Sequence, residues 1–193
     1  MKKTNIYKKP LRVALLLASI VGLAPLFSTS AVAQTKVQTA DIAALYQLQA
    51  AFHAAASCAG HDDATKAQHL SEMLALWAED GVLVVGTTTY QGRGLPSCGS
   101  GTLCDFFANH AGSFMLGRDW VTLAPLFKTA FDVRGDTANV YFECHYFDLA
   151  TGLGVSHLSI GLRDQPGSGQ ARKVNGTWLL SYAIVGTPPL SCD

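Results

Sequence analysis

The hydrophobic positions follow a helical period early in the chain and an extended period later. After Asp41, apolar residues recur at steps of three and four, which predicts an amphipathic helix with Asp41 as its N-cap. The same spacing predicts a second helix over about 63–78. The apolar stripes consist of Ile42, Leu45, Leu48, Phe52 and Ala55 in the first helix, and of Leu70, Met73, Leu74 and Trp77 in the second.

Extended segments follow the two helices. Residues 82–85 and 87–90 predict a strand pair across Gly86. A glycine-rich loop at 91–101 and a short helix near 103–110 come next, and then long strands at 120–133, 138–147, 155–162 and 178–184. Helices followed by a run of antiparallel strands predict an α+β fold.

The N-terminus has the features of a signal peptide. Five basic residues, Lys2, Lys3, Lys8, Lys9 and Arg12, accompany an apolar run that ends near Phe27 and contains no acid. The small residues Ala31 and Ala33 then predict cleavage before Gln34. A membrane anchor would need about twenty uninterrupted apolar residues, and Pro25 interrupts this run. We therefore expect a signal peptide at 1–33 and a periplasmic or secreted single domain at 34–193.

Removal of this leader changes the charge of the protein. The whole chain has 14 basic and 14 acidic residues, and the leader contains five of the basic ones and none of the acidic ones. The mature domain therefore carries a net charge of −5, which argues against nucleic acid as a partner. No cysteine follows the cleavage site directly, so no lipid anchor and no membrane association are expected after cleavage.

Five cysteines, Cys58, Cys98, Cys104, Cys144 and Cys192, would meet an oxidising compartment after export. Cys98 and Cys104 flank a glycine-containing loop, which predicts a local disulfide. Cys144 alternates with apolar neighbours and is expected to be a buried free thiol, whereas Cys58 and Cys192 would pair if the C-terminal tail returns to the first helix. Because no CxxC or CxxxxC pair occurs, no metal site is predicted.

Four blocks carry a resemblance to a known family. They are Leu76-Trp77-Ala78-Glu79-Asp80-Gly81-Val82, Tyr90-Gln91-Gly92-Arg93, Gly135-Asp136-Thr137-Ala138-Asn139-Val140 and Asn175-Gly176-Thr177-Trp178. In this order and spacing they resemble the SnoaL-like branch of the NTF2-like superfamily over about 40–187. The resemblance implies a cone-shaped, curved antiparallel sheet wrapped around the N-terminal helices, whose open end often holds a small hydrophobic molecule without a cofactor.

The residues depart from this family at its usual acid/base positions. Where ketosteroid-isomerase-like members have a carboxylate, this chain has Val84-Val85-Gly86. Near the end of the first helix, Ser57 and Cys58 occupy the region of a common aspartate, and Trp120 lies where dehydratase-like members have a histidine. The family hosts enzymes and non-catalytic proteins, so function has to be argued from the site.

The strongest local chemistry lies on the hairpin at 138–162. A register that pairs His145 with His157 puts Glu143 and both histidines on one face and the apolar residues on the other, whereas a slip of one residue mixes them. We expect this polar face to turn toward the cone, with His145, His157 and Glu143 as catalytic acid/base residues. A face that is merely solvated or covered by a dimer partner is the alternative.

Other side chains are expected to line the pocket. His53 either faces the cone or lies on the exposed edge of its helix, and the aromatic residues are either pocket wall or core. The predicted pocket-lining residues are His53, Tyr46, Trp77, Tyr90, Trp120, Tyr141 and Ser159.

These patterns lead to one function and two alternatives. The chain is expected to be an exported domain that binds a small, largely apolar molecule, with cofactor-free acid/base catalysis of the dehydratase or cyclase type, as in lyases and isomerases. The first alternative is a binding or scavenging protein without turnover. The second is a structural homodimer that uses the polar sheet face as its interface.

Overall fold

A computed structural model of the chain describes residues 26–57, 63–110, 120–123, 129–148 and 153–186, with side chains at 38–57, 64–110, 129–146 and 158–186. The chain forms two units, Met1–Thr35 and Lys36–Asp193. Several predictions fall outside the described residues: most of the signal peptide, Cys58 and Cys192, and the side chains of Trp120 and His157.

The described elements are three helices and eight strands. The helices are α1 (Leu26–Ala56), α2 (Asp63–Ala75) and α3 (Leu103–Asp105), and α3 continues into a π-helical turn at Phe106–His110. The strands are β1 (Trp77–Val85), β2 (Thr88–Gln91), β3 (Trp120–Leu123), β4 (Thr129–Arg134), β5 (Thr137–Asp148), β6 (Leu153–Ile160), β7 (Gly169–Val174) and β8 (Thr177–Gly186).

All eight strands form one sheet with the order β2-β1-β8-β6-β5-β3, while β4 pairs with β5 and β7 pairs with both β5 and β8. The α+β class is confirmed. The sheet is mixed rather than wholly antiparallel, because β1 runs parallel to β8. Tight turns join β4 to β5 and β7 to β8, and the second is Asn175-Gly176, where both residues have a positive φ.

Helix α1 begins upstream of the predicted start, so the expectation that Asp41 is its N-cap is wrong. The Asp41 carboxylate instead accepts hydrogen bonds from Trp178 Nε1 at 3.1 Å and from Lys173 Nζ at 2.8 Å. The bond from Lys173 is the main reason that the pKa of Asp41 lies below its usual value. Asp41 thus ties the middle of α1 to strands β7 and β8.

Helix α2 ends earlier than predicted. Trp77 and Ala78 extend its apolar stripe in the sequence, yet both belong to β1, and Trp77 pairs with Leu180 of β8. Asp80 and Gly81 lie inside β1, where the register with β8 shifts, so they do not terminate the helix. Trp77 is fully buried. An apolar residue at this position is therefore compatible with the buried stripe of α2 and with a buried position in β1.

Two further differences concern strands. The predicted long strand at 120–133 is two separate strands, β3 and β4, which pair with different halves of β5. Strand β7 is absent from the prediction because it directly follows the glycine- and serine-rich loop. Its first residue, Gly169, passes so close to the backbone of Val140 that a Cβ atom would lie 2.3 Å from the Val140 oxygen. Only glycine therefore fits this crossing.

Candidate functional site

Strand β5 and its partner β6 form the centre of the site. Their register pairs Glu143 with Ser159, Cys144 with Leu158 and His145 with His157. The predicted register is therefore confirmed. Successive side chains of a strand point to opposite faces, so Glu143 and His145 share one face and Cys144 and Tyr146 share the other.

The face of β5 with Phe142, Cys144 and Tyr146 packs toward α1. The ring of Phe142 lies 5.4 Å from that of Phe52 on α1, centroid to centroid, and 5.8 Å from that of His53. Phe142 is 1% exposed, so these contacts form part of the core. Helix α1 therefore determines which face of β5 is interior.

A cavity of about 410 Å³ opens between this face and the neighbouring elements. Its volume is in the range of small-molecule sites, about 300–1,000 Å³. Aromatic and aliphatic side chains make up most of the wall. The described lining residues are Phe52, Leu83, Val85, Thr88, Tyr90, Phe106, Phe107, His110, Cys144, Tyr146, Leu158, Ser159, Ile160 and Val185.

Glu143 and His145 of the polar face lie outside the wall of this cavity, whereas Ser159, which pairs with Glu143, belongs to the wall. The cavity wall contains Cys144 and Tyr146 but neither Glu143 nor His145. The physical reason is that the apolar stripe of α1 needs an apolar partner, and the even-numbered residues of β5 provide it. The predicted separation of polar from apolar residues along β5 agrees with the register, while the cavity is lined on β5 by the apolar set.

Glu143 is the centre of a hydrogen-bonded group on the other face. Its side chain is 1% exposed, and its carboxylate accepts hydrogen bonds from the Tyr141 hydroxyl at 2.6 Å and from His145 Nε2 at 3.2 Å. Burial first, and then the hydrogen bond to Glu143, raise the pKa of Tyr141 well above its usual value. The structure thus brings together Tyr141, Glu143 and His145, and the backbone of His157 lies opposite His145.

His53 is buried but does not line the cavity. Its Nδ1 lies 2.7 Å from the Gln49 carbonyl oxygen and its Nε2 lies 3.1 Å from the Glu143 carbonyl oxygen. One ring thus spans a turn of α1 and the backbone of β5. We assign His53 a role in holding the helix against the sheet.

The other predicted pocket residues divide into two groups. Tyr90 and Ser159 belong to the cavity wall, although the Ser159 hydroxyl donates a hydrogen bond to the Gly161 oxygen at 2.7 Å. Trp77 is core, and Tyr46 is 40% exposed and packs edge-on against Phe131, so neither lines the cavity. Tyr141 likewise lies away from this wall, in the group around Glu143.

Cys144 contributes a thiol to the cavity wall. It is the free cysteine within the described residues and is 1% exposed. Burial raises the pKa of this thiol far above its usual value, and the charge of Glu143 adds to the effect. Cys144 is thus a small apolar wall residue rather than a nucleophile at neutral pH.

Cys98 and Cys104 form the predicted disulfide, with their Cα atoms 4.9 Å apart. The loop between them is attached to the sheet, since the N–H of Leu103 donates to the Gly92 oxygen at 2.8 Å and that of Cys104 donates to the Arg93 oxygen at 3.0 Å. Leu103 and Cys104 are fully buried. The loop therefore has a fixed position beside the cavity.

His110 in the cavity wall is one of the residues that the sequence did not predict there. It closes the π-helical turn, and its ring centroid lies 5.8 Å from that of Tyr90. No spacing motif marks His110 in the sequence, because the turn that orients it departs from the helical period of 3.6.

Within the described part of the chain, no group of three or more His, Cys, Asp or Glu residues is placed to hold a metal ion. In the same part of the chain, none of the helices is long and apolar enough to cross a membrane.

Comparison with known proteins gives structural matches only. Neither a protein-family model nor a curated protein sequence matches the chain. An NTF2-like protein with a cystatin-like fold from Novosphingobium aromaticivorans is similar, with a TM-score of 0.58, 16% identity, and coverage of 89% of this chain and 95% of its own.

Two further solved structures are similar to the chain. A protein of unknown function with a cystatin-like fold from Nostoc punctiforme has a TM-score of 0.56 and 16% identity, with coverage of 79% of this chain and 94% of its own. A putative scytalone dehydratase from Novosphingobium aromaticivorans has a TM-score of 0.52 and 15% identity, with coverage of 80% of this chain and 89% of its own.

At these identities the likeness is one of fold, and it agrees with the resemblance predicted from the four sequence blocks. The α+β unit, with a curved mixed sheet around α1, has the NTF2-like fold, which is also described as cystatin-like.

Proposed function

We propose that the protein binds a small, largely apolar molecule in the cavity between α1 and the sheet. The observation that carries this proposal is the composition of the wall. Its described residues include no Lys, Arg, Asp or Glu, and most of them are aromatic or aliphatic. Burial of an apolar ligand against such a wall stabilises the complex by about 25 cal/mol of free energy for each Å² of apolar surface removed from water.

A second candidate is cofactor-free acid/base catalysis of the dehydratase or cyclase type by His145, His157 and Glu143. It is supported by the hydrogen bonds that Glu143 accepts from Tyr141 and His145. One protein of the same fold is a putative scytalone dehydratase. Because Glu143 and His145 are not in the cavity wall, we rank this activity below binding.

We also propose that the protein is exported and cleaved before Gln34. The charged and apolar pattern of the leader supports this, as does the Cys98–Cys104 disulfide, which is typical of oxidising compartments. The boundary between the two units, after Thr35, lies beside the cleavage site. Mass analysis of periplasmic protein should find Gln34, or a residue close to it, at the N-terminus. Protein that still begins at Met1 would refute cleavage.

Binding can be tested with the neutral probe N-phenyl-1-naphthylamine, whose fluorescence rises in apolar surroundings. Val85 lies in the cavity wall, and its neighbour Val84 does not, although both are partly buried on β1. We expect the wild-type protein and Val84→Phe to bind the probe, and Val85→Phe to bind it at least tenfold more weakly because the new ring fills the cavity.

Thermal unfolding of both variants controls for misfolding. If the probe does not bind to wild-type protein, or binds equally to Val85→Phe and Val84→Phe, the proposed site is wrong. Variants His145→Ala and His157→Ala address the second candidate. Loss of an essential base lowers turnover by about a hundredfold or more, whereas binding of the probe in the cavity should not change.

A further inference from the structure

The aliphatic residues of the cavity wall come from three strands that are neighbours in the sheet, β1, β8 and β6. The register pairs Val85 of β1 with Val185 of β8, and Val185 with Ile160 of β6. Neighbouring strands lie about 4.8 Å apart, so these three side chains form a continuous row across the sheet. Leu83 and Leu158 extend the row along β1 and β6, and we call these five residues the aliphatic floor of the cavity.

The aromatic residues of the wall lie around this floor. Tyr90 is on β2 and Tyr146 is on β5, and in the strand order β2-β1-β8-β6-β5 these two strands flank the other three. Phe106 and Phe107 come from the π-helical turn, and Phe52 comes from α1. A ligand that lies on the aliphatic floor is therefore bordered by aromatic rings.

Three of these rings already contact one another. The centroid of the Phe106 ring lies 4.9 Å from that of Tyr90 and 5.1 Å from that of Phe107, within the range in which aromatic rings attract each other. Tyr90 and Phe107 are buried, whereas Phe106 is only partly buried. Phe106 is thus the middle ring of the cluster and has more accessible surface for a ligand than the other two.

We infer that the cavity takes a flat aromatic ring in preference to a saturated ring with the same number of carbon atoms, and that Phe106 determines this preference. A flat ring covers the aliphatic floor with one face and joins the ring cluster at Phe106. Aromatic pairs stabilise a contact beyond the apolar area that they bury, and a saturated ring has no π-system with which to form such a pair. The inference rests on the proposed function and specifies its ligand class.

The ligands 2-phenylethanol and 2-cyclohexylethanol have the same carbon skeleton and the same hydroxyl group, and they differ only in the ring. The Kd of each is measured by displacement of N-phenyl-1-naphthylamine from the wild-type protein and from Phe106→Leu, which keeps an apolar side chain without the aromatic ring. We expect Phe106→Leu to bind 2-phenylethanol about two- to tenfold more weakly than the wild type, which corresponds to one aromatic pair. The Kd of 2-cyclohexylethanol should stay nearly unchanged.

Two further variants are matched controls. Phe131 on β4 is also partly buried and also packs against a tyrosine, Tyr46 at 5.0 Å, but it lies outside the wall of this cavity. Phe131→Leu should therefore leave the Kd of both ligands unchanged. Phe106→Tyr keeps the aromatic ring and should bind 2-phenylethanol nearly as tightly as the wild type. Thermal unfolding of all variants separates loss of the ring from loss of the fold.

Each contrary result has a distinct meaning. If the probe does not bind to the wild-type protein, the proposed function itself fails. If the probe binds but neither alcohol displaces it, the cavity does not take a small ring and the inference fails alone. If Phe106→Leu weakens both alcohols equally or neither of them, or if Phe131→Leu or Phe106→Tyr has the same effect as Phe106→Leu, aromatic recognition by Phe106 is overturned while the cavity remains a binding site.

Discussion

The two faces of β5 have different roles, although their residues alternate along one strand. On one face, Phe142 packs against α1, and Cys144 and Tyr146 form part of the cavity wall. On the other, Glu143 is just as buried but is held by hydrogen bonds from its strand neighbours Tyr141 and His145. Burial alone therefore does not distinguish a ligand site from a structural polar group.

The two faces differ in whether they border an open cavity. The apolar face borders an open volume of about 410 Å³, whereas the Glu143 carboxylate already accepts two hydrogen bonds within the protein. A carboxylate that is buried and hydrogen-bonded in this way stabilises the sheet and has little accessible surface for a ligand. We therefore place ligand binding on the apolar face and structural specificity on the polar face, and the following substitutions test that division.

The largest effect on stability is expected from Phe142→Ala on the apolar face. Its ring is buried against Phe52 and His53, so truncation should cost about 3–5 kcal/mol of unfolding free energy. Urea unfolding measures this loss. Phe131→Ala on β4 is the control, because Phe131 is only partly buried, and it should cost clearly less. Equal losses would show that the Phe142 contacts are not central to the core.

Substitution of Glu143 tests the polar face. Glu143→Ala removes the acceptor of the Tyr141 hydroxyl and should cost about 2–3 kcal/mol at pH 7. Glu143→Gln keeps a carbonyl acceptor and should cost less. Both values come from urea unfolding. If Glu143→Gln loses as much unfolding free energy as Glu143→Ala, the charge of Glu143 matters more than its hydrogen bond. If neither variant loses stability, Glu143 has no structural role.

The smallest effect is expected from Tyr141→Phe, at about 1–2 kcal/mol near neutral pH. The pKa of Tyr141 is raised in the folded state, so its contribution is complete below about pH 10, the usual value, and declines as the pH rises further. Wild-type stability should therefore fall more steeply between pH 9 and pH 11 than that of Tyr141→Phe. Tyr46→Phe, at an exposed position, should follow the wild-type curve, and parallel curves for all three proteins would refute the linkage.

The sequence predicted correctly those features that depend on residues close together along the chain. Alternation along β5 and β6 determined the register of His145 with His157, because a slip would have mixed polar and apolar residues. The Cys98–Cys104 bridge followed from a short, glycine-containing loop. The α+β class followed from the change of period after α2.

Contacts between distant segments could not be predicted in the same way. Asp41 has the local character of a helix cap, but its partners Trp178 and Lys173 lie far along the chain. The stripe of α2 continues into Trp77 although the chain has already entered β1. The orientation of the β5 faces depends on where α1 packs, and the position of His110 depends on a π-helical turn.

The division between the two faces can be tested most directly on two tyrosines of the same strand. Tyr146 lies in the cavity wall, and Tyr141 lies on the opposite face. With ¹³C-labelled tyrosine and assignments from Tyr→Phe variants, NMR spectra recorded during addition of N-phenyl-1-naphthylamine should show shifts of the Tyr146 and Tyr90 ring signals and an unchanged Tyr141 signal. Shifts of Tyr141 without shifts of Tyr146 would contradict the account and place the ligand on the polar face.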